Sequence, residues 1–409
     1  MNCRSANKPA GTTRLGGDGV RLLTFSTLFP NRERPNFGVF VENRLRHLVA
    51  TGEAQSTVLA PVPWFPLTSS RFGVWAQQAR VPRREERHGL VVHHPRWLAL
   101  PKIGTPISPV TLYLASLRAA RRLLADGVEF DLIDAHYLYP DGVAAVWLGR
   151  ALGKPVVVTV RGSDVTEFPD YAIPRRYITA AIAGADALIS VSGGLRDRLI
   201  ALGAPPEKVT VLRNGIDTDM FRPVAREAAR ARLGLTRPTL ISVGGLIPRK
   251  RNAMTIAAMQ DLPGVELLLV GEGPERAALQ AQIDQLGLAD RVRLLGPQPH
   301  AALRDFYCAA DIMVLASSRE GWANVLLEAM ACGTPVVASR IPGNPEVVRA
   351  RAAGLIMDDN NPAGLAAAVR DLLAAPPDRA ATRTYAEQFG WDETSQGQLR
   401  LFRDVLSRR

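Results

Sequence analysis

Short β-branched and aliphatic runs alternate with Ala- and Leu-rich stretches of helical length along almost the whole chain, and this alternation constrains the fold most. VRLLTFST (20–27), STVLAPV (56–62), LVVHHP (90–95), DLIDAH (131–136), VVVTVRG (156–162), ALISVS (187–192) and KVTVLRNG (208–215) read as strands. Helical patterns fall between them near 38–51, 107–125, 141–152, 174–183 and 193–202. The series then restarts with TLISVGGL (239–246), VELLLVGEG (265–273), RVRLLG (291–296), DIMVLAS (311–317) and PVVAS (335–339). Helices at 252–260, 274–286, 300–308 and 324–332 separate these strands. A run such as VVVTVRG lacks polar alternation, so both faces of that strand are expected to be buried, as in a parallel sheet covered by helices. Two such series predict two doubly wound α/β domains, and 409 residues are too many for one ordinary core. The expected division is a disordered tail over 1–18, a first domain over 19–215, a linker over 216–238, a second domain over 239–375, and helices over 376–409 that pack back across the boundary. In such sheets ligands bind beyond the carboxyl ends of the strands, so two facing domains share one cleft.

The rest of the composition narrows the setting. The longest apolar candidate for a membrane helix, 143–160, is broken by Arg150 and Lys154. The polar, Gly-rich N-terminus has no apolar core of a signal peptide. Three scattered cysteines, Cys3, Cys308 and Cys332, suit a reducing compartment. A cytoplasmic protein is therefore expected. The net charge of +11 favours an anionic partner. The excess is concentrated: residues 71–122 hold ten Lys or Arg against Glu85 and Glu86, with Trp64, Phe65, Phe72, Trp75 and Trp97 in or beside them. That mixture suits peripheral contact with the anionic inner face of a membrane. It equally suits a solvated basic surface over core aromatics.

The chemistry concentrates in SREGWANVLLEAMACGTPVVAS (318–339), where seven residues separate Glu320 from Glu328. A strand ends at Ser317, a loop carries Glu320 and Gly321, and a helix starts near Asn324. A helix start presents unpaired N–H groups and partial positive charge, which suits phosphate. Gly321 allows close backbone approach. An acid before the helix can accept from sugar hydroxyls, and one a turn inside it from a ribose diol. A bare pair of glutamates is more simply read as a cap and a surface helix acid, and the surrounding residues decide between the two.

SREGWANVLLEAMACGTPVVAS, followed by IPGNPEVV, resembles the signature of retaining family 4 glycosyltransferases. STLFPNRERPNFGVFVENRL (26–45), DAHYLYPDGVAA (134–145), VTVRGSDVT (158–166), VLRNGIDTDMFRP (211–223), VGGLIPRKR (243–251) and LVGEGPER (269–276) extend the likeness in family order. The bacterial exopolysaccharide and teichuronic-acid transferases are the members it resembles most. The resemblance implies a GT-B fold, two Rossmann-like domains facing a central cleft. It implies transfer of a sugar from a nucleotide-sugar donor to a glycan or polyprenyl-linked acceptor with retention. Gly38 would admit the donor diphosphate, and Arg249 and Lys250 would neutralise it. Glu320 would bind the transferred sugar and Glu328 the ribose. Gly321, Asn324, Val325 and Leu326 would present N–H groups. Gly271 and Gly273 would shape the nucleotide wall, and Leu295 and Gly296 would meet the base. Arg161 stands where many relatives carry histidine, with Asp164 placed to orient it. Together with Lys250 and Glu320 these form the implied catalytic set. Gly245 replaces a common arginine, beside Arg249, Lys250 and Arg251, and Ala323 replaces a proline. Retention in this family is attributed to the leaving phosphate, which accepts the proton of the attacking hydroxyl, so no metal or other cofactor is expected.

Weaker signals compete. Asp217-Thr218-Asp219 has the DxD form of a metal-binding diphosphate motif but lies in the interdomain segment. Gly271-Glu272-Gly273 opens like a dinucleotide loop, yet position 276 is Arg. His93 and His94 lack a third ligand at suitable spacing. His136 ends a strand and is expected to face the cleft, and His47 sits in a helical pattern. The rival functions are a nucleotide-sugar epimerase and a charge-driven nucleic-acid or anionic-surface binding protein. The chain shows no recognition-helix or RNA-binding aromatic motif, so nucleic acid is not an expected partner.

Overall fold

The computed structural model describes residues 19–99 and 105–408. The expected tail over 1–18 lies outside the described residues. Two sheets organise the chain. The first runs in the order Val209–Val211, Ala187–Ser190, Val156–Val160, Leu132–His136, Val20–Phe25, Ala54–Leu59, Leu90–His93, Arg84–Arg87. All neighbours are parallel except the final hairpin. Its turn, His88-Gly89, has φ of 48° and 78°, the positive pair that a tight hairpin needs. The edge strand Arg84–Arg87 reads REER and carries no apolar alternation, so sequence periodicity gives it no signal. Val156–Val160 is buried at every position, as its nearly unbroken apolar run requires, and Leu132–His136 is equally buried although it carries Asp134 and His136.

The second sheet is wholly parallel, in the order Val292–Gly296, Glu266–Val270, Thr239–Val243, Ile312–Leu315, Val336–Ala338, Gly354–Ile356. Counted along the chain, this is the 3-2-1-4-5-6 arrangement of a dinucleotide-type fold. Its order reverses between Thr239–Val243 and Ile312–Leu315, and that of the first sheet between Val20–Phe25 and Leu132–His136. Both halves are Rossmann-like, and the loops leaving these four strands meet.

The helix Arg226–Leu233 lies inside the segment expected as linker. Arg226 and Arg230 pair with Asp311 at 2.5 and 3.3 Å, and Arg232 with Asp305 at 2.6 Å, tying this helix to the second half. The closing helix Trp391–Ser407 returns to the first half. Leu399, Phe402 and Val405 join Val20, Leu22, Val41 and Leu45 in one core, and Trp391 stacks on His47 with ring centroids 5.1 Å apart.

Candidate active site

A cavity of about 400 Å³ lies between the halves, lined from the first by Phe40, Tyr137, Arg161 and Asn214 and from the second by Arg249, Lys250, Glu320, Gly321, Asn324 and Val325. The helix Asn324–Ala331 starts here, after a loop that leaves Ile312–Leu315. Glu320 is the electrostatic centre of this wall. Its Oε1 accepts from Lys250 Nζ and from Ser317 Oγ, each at 2.6 Å, and its Oε2 accepts from Arg249 at 3.2 Å. Burial disfavours the carboxylate, but Lys250 and Arg249 outweigh it and hold its pKa below the usual range. Glu320 is therefore an ionised acceptor at neutral pH. The charged lining comprises four cations, Arg161, Arg249, Lys250 and Arg319, against Glu167 and Glu320, an excess that suits a diphosphate.

The opposite wall is built differently. Arg161 follows the strand Val156–Val160, and its guanidinium donates to Asn214 Oδ1 at 3.0 Å and to His136 Nδ1 at 2.8 Å. An arginine only donates, so His136 Nδ1 is the acceptor and Nε2 carries the proton, 3.2 Å from Asp134 Oδ2. Burial lowers the His136 pKa and Asp134 opposes it, leaving the ring neutral at pH 7. Burial, reinforced by Arg44, pushes Arg161 down to about 9, so it stays a cation at neutral pH. His136 does not face the cleft as expected. It is 1% exposed and lies behind Arg161, because the larger guanidinium occupies the space at the end of its strand.

Asp164 is also fully buried. Its carboxylate accepts from the backbone N–H groups of Leu138 at 2.8 Å, Gly162 at 2.6 Å and Arg161 at 3.1 Å. It thus orients Arg161 through the main chain, not through the guanidinium. Asp141 does similar work, accepting from Thr27 N at 2.7 Å and Thr27 Oγ1 at 2.9 Å, and burial pushes its pKa up to about 7.

The two walls touch backbone to backbone. A Cβ on Gly321 would overlap the Arg161 carbonyl oxygen, and a Cβ on Gly162, at φ 150°, would stand 3.3 Å from Gly321 N. Further bonds hold this approach. Trp322 Nε1 donates to Asn214 O at 3.1 Å, and Arg319 pairs with Glu167 at 3.1 Å. Glu346 accepts from the N–H groups of Gly193 and Gly194 at 2.9 and 3.1 Å, capping the helix Gly193–Ala201 from the other domain, and also from Arg213 at 3.0 Å.

Other expected site residues sit around this cavity without lining it. Gly38, at φ 74°, begins the helix Val39–Ala50, and a Cβ there would overlap the Leu28 carbonyl. Gly271 and Gly273 let their loop lie against Gly244–Leu246, where Leu246 N donates to Glu272 O at 2.9 Å. Gly296 O accepts from Gly271 N at 2.9 Å, and Leu295 is half-buried beside it. Leu326 is buried. Glu328 accepts from Tyr307 Oη at 2.9 Å and pairs with His300 Nε2 at 3.0 Å. Burial disfavours the His300 cation, but Glu328 overrides it and raises the pKa. Asp217 Oδ1 accepts from the N–H groups of Asp219 and Met220 at 3.1 and 2.9 Å, so this carboxylate closes a turn. Sequence reasoning missed Phe40, Tyr137, Asn214, Trp322 and Glu346. Asn214 and Glu346 stand in quoted motifs, but nothing in their spacing shows that they bridge the halves.

Fold and cleft define a GT-B protein, with its chemistry at the switch points of two facing sheets. Residues 225–389 match the family described as glycosyl transferases group 1, and residues 55–220 match glycosyltransferase family 4. The D-inositol 3-phosphate glycosyltransferase 1 of Catenulispora acidiphila is 34% identical over 438 residues, covering 97% of this chain and 98% of that protein. The D-inositol 3-phosphate glycosyltransferase of Acidothermus cellulolyticus is 33% identical over 339 residues, 76% of this chain and 75% of that one. Among solved structures, a sucrose-phosphate synthase from Thermosynechococcus elongatus is similar with a TM-score of 0.76 at 22% identity, over 96% of this chain and 100% of that one. Anabaena HepE in complex with UDP and glucose is similar with a TM-score of 0.71 at 20% identity, over 94% and 99%. At these identities the structures speak for the fold alone. The chain belongs to the group 1, family 4 glycosyltransferases. The curated relatives named here act on inositol phosphate by name and are not of the exopolysaccharide type that its motifs bring to mind.

Proposed function

We propose that this chain transfers a hexosyl group from a nucleotide-sugar to a hydroxyl of a small phosphorylated polyol, with retention and without a metal. The observation that carries the reading is Glu320, ionised between Lys250 and Arg249 at a helix start, with Arg161 facing it across the cleft. The names of relatives 33–34% identical supply the acceptor class. In this reading the donor diphosphate lies along Arg249, Lys250 and the first-turn N–H groups, and Glu320 accepts from the sugar's hydroxyls. The acceptor oxygen bonds to the anomeric carbon on the face that the leaving group departs. The bond from that carbon to the phosphate oxygen breaks, and the acceptor's proton passes to the departing phosphate. The products are the glycoside and a nucleoside diphosphate. Positioning and preorganised charge supply the acceleration.

The second reading keeps the donor chemistry and replaces the acceptor with a glycan or polyprenyl-linked one. The basic, partly apolar surface of the first half favours it. Incubating the protein with UDP-, GDP-, ADP- and dTDP-sugars, each with inositol phosphate or a polyprenyl-linked glycan, decides between them. The leading reading expects one nucleotide class to turn over with inositol phosphate, unaffected by EDTA, and an α-donor to give an α-product by NMR. An inverted product, or an absolute need for metal, would sink the mechanism. Turnover only with the lipid-linked acceptor would select the second reading.

A further inference from the structure

The helix layer on one face of the first sheet carries a surface that the cleft chemistry does not use. Trp147, on the helix Val143–Leu152, meets Tyr113 at 5.9 Å and Tyr177 at 5.6 Å. It thereby sets the helices Ser108–Ala125 and Ala172–Gly184 on either side of its own. Neither flanking helix contains an Asp or Glu, and together they carry Arg118, Arg121, Arg122, Arg175 and Arg176, all exposed. Among the described residues, no carboxylate pairs with these five. Asp126 and Asp170 stand only at the margins.

Apolar groups adjoin these cations. The parallel pair Val62–Pro63 with Arg96–Trp97 places Trp64 beside Leu98 by register, and the two are 51% and 46% exposed. Leu98 O accepts from Thr111 Oγ1 at 2.8 Å, which brings in the exposed Val110 and Leu114, one turn apart on the outer face of Ser108–Ala125. Phe65 packs on Phe72 at 5.4 Å and on Trp75 at 5.8 Å, so the exposed Leu67, Arg71 and Val74 lie next to Trp64. On the other flank, the turn Thr105–Ile107 touches the helix Ala172–Gly184, which joins Ile107 to Tyr171 and Ile173, both half or more exposed. Tyr171 stands five residues beyond Thr166, a residue of the cleft lining.

We propose that this face docks on an anionic lipid bilayer, with Trp64, Leu67, Leu98 and Leu114 entering the interface and the arginines meeting lipid phosphates. Charge complementarity selects the partner. A second copy of this face would bring five unpaired guanidinium groups against five more, whereas a sheet of phosphodiester headgroups neutralises them. An exposed indole beside aliphatic side chains and cations is the composition that settles at a membrane boundary. No helix of the described residues is long and apolar enough to cross a membrane, so the contact is peripheral. The surface opens beside the cleft mouth, and the inference stands apart from the proposed acceptor.

The test is flotation of the full chain, without donor, on vesicles of phosphatidylglycerol and phosphatidylethanolamine, with phosphatidylcholine vesicles as the contrast. Binding is expected only to the anionic vesicles, and it should fall as salt rises from about 0.1 M to about 0.5 M, where the screening length shrinks about twofold. R118S/R121S/R122S should weaken it about a hundredfold, since each cation near the surface contributes about fivefold. W64S/L67S, on a separate element, should weaken it independently, with both variants melting at the parent temperature. Soluble glycerol phosphate should not compete, which separates a lipid surface from a phosphate site. No flotation at low salt, or flotation unchanged by both variants, overturns the proposal. So does a dimer that both variants dissociate, or equal binding of duplex DNA. None of these outcomes touches the transfer reading, which is measured on soluble substrates.

Discussion

The two walls of the cleft hold their charged groups in opposite ways. On the second-domain side Glu320, Lys250 and Arg249 satisfy one another through side chains that remain at the cavity. On the first-domain side the carboxylates Asp164 and Asp141 are buried and accept from main-chain N–H groups, and one guanidinium, Arg161, comes forward on a buried backing of His136 and Asn214. The difference teaches that one wall supplies charge and the other supplies shape. Substitutions on the first kind of wall should cost turnover and little stability. Substitutions on the second should cost stability first.

The largest effect is expected from Glu320→Gln or Lys250→Ala. Each should lower kcat by about 10²–10³-fold, as removal of a preorganised electrostatic group does, with little change in melting temperature. A steady-state assay beside a thermal melt checks both halves of that statement, and a large fall in stability would break the comparison. Gly321→Val comes next. Its side chain forces the walls apart at the Arg161 carbonyl, and a displacement of about 1 Å costs roughly 10²-fold in rate. Equal activity would mean that the observed approach of the halves is not the working one.

Glu328→Ala should weaken donor binding about tenfold while sparing kcat, by loss of one acceptor for a charge-assisted bond. Calorimetry with the nucleotide separates it from Glu320→Gln. Asp164→Ala leaves two buried N–H groups and a part-buried one without their acceptor, so unfolding in denaturant should show about 2–4 kcal/mol lost. Loss of turnover at unchanged stability would instead return Asp164 to the chemistry.

The most gradual effect is a pH slope. Burial holds Asp141 protonated up to about pH 7, whereas the unfolded chain releases that proton near pH 4. Between those values the folded state binds more protons, so this carboxyl makes stability fall as pH rises. Asp141→Asn should flatten that part of the stability–pH curve. Glu320 runs the other way: its depressed pKa adds stability above about pH 4 that is lost as pH falls through the folded value.

Most strands were legible because they are short, mostly apolar and β-branched runs such as Val156–Val160, a signal that survives without any knowledge of neighbours. The charged wall was legible too, since Glu320, Gly321 and Asn324 lie within five residues of one another in a single motif and all line the cavity. The shaped wall was not. Arg161 rests on His136 and Asn214, which come from two other strand ends, and no local pattern announces that meeting. The helix Val74–Arg80 and the strand Arg84–Arg87 escaped for a simpler reason: they are short, and the strand's residues are charged.

The helix Trp391–Ser407 also bears on how the molecule is made. Its Leu399, Phe402 and Val405 complete the core begun by Val20 and Leu22, so the half synthesised first is sealed last. At ordinary translation speeds roughly 10–40 s separate the emergence of residue 215 from that of residue 405. Through that interval the ribosome holds a nascent first domain with its core open on one side. The second domain, whose strands all lie between 239 and 356, can close on its own schedule. Newly made chains are therefore most exposed to chaperones and proteases over the surface that only the final helix covers.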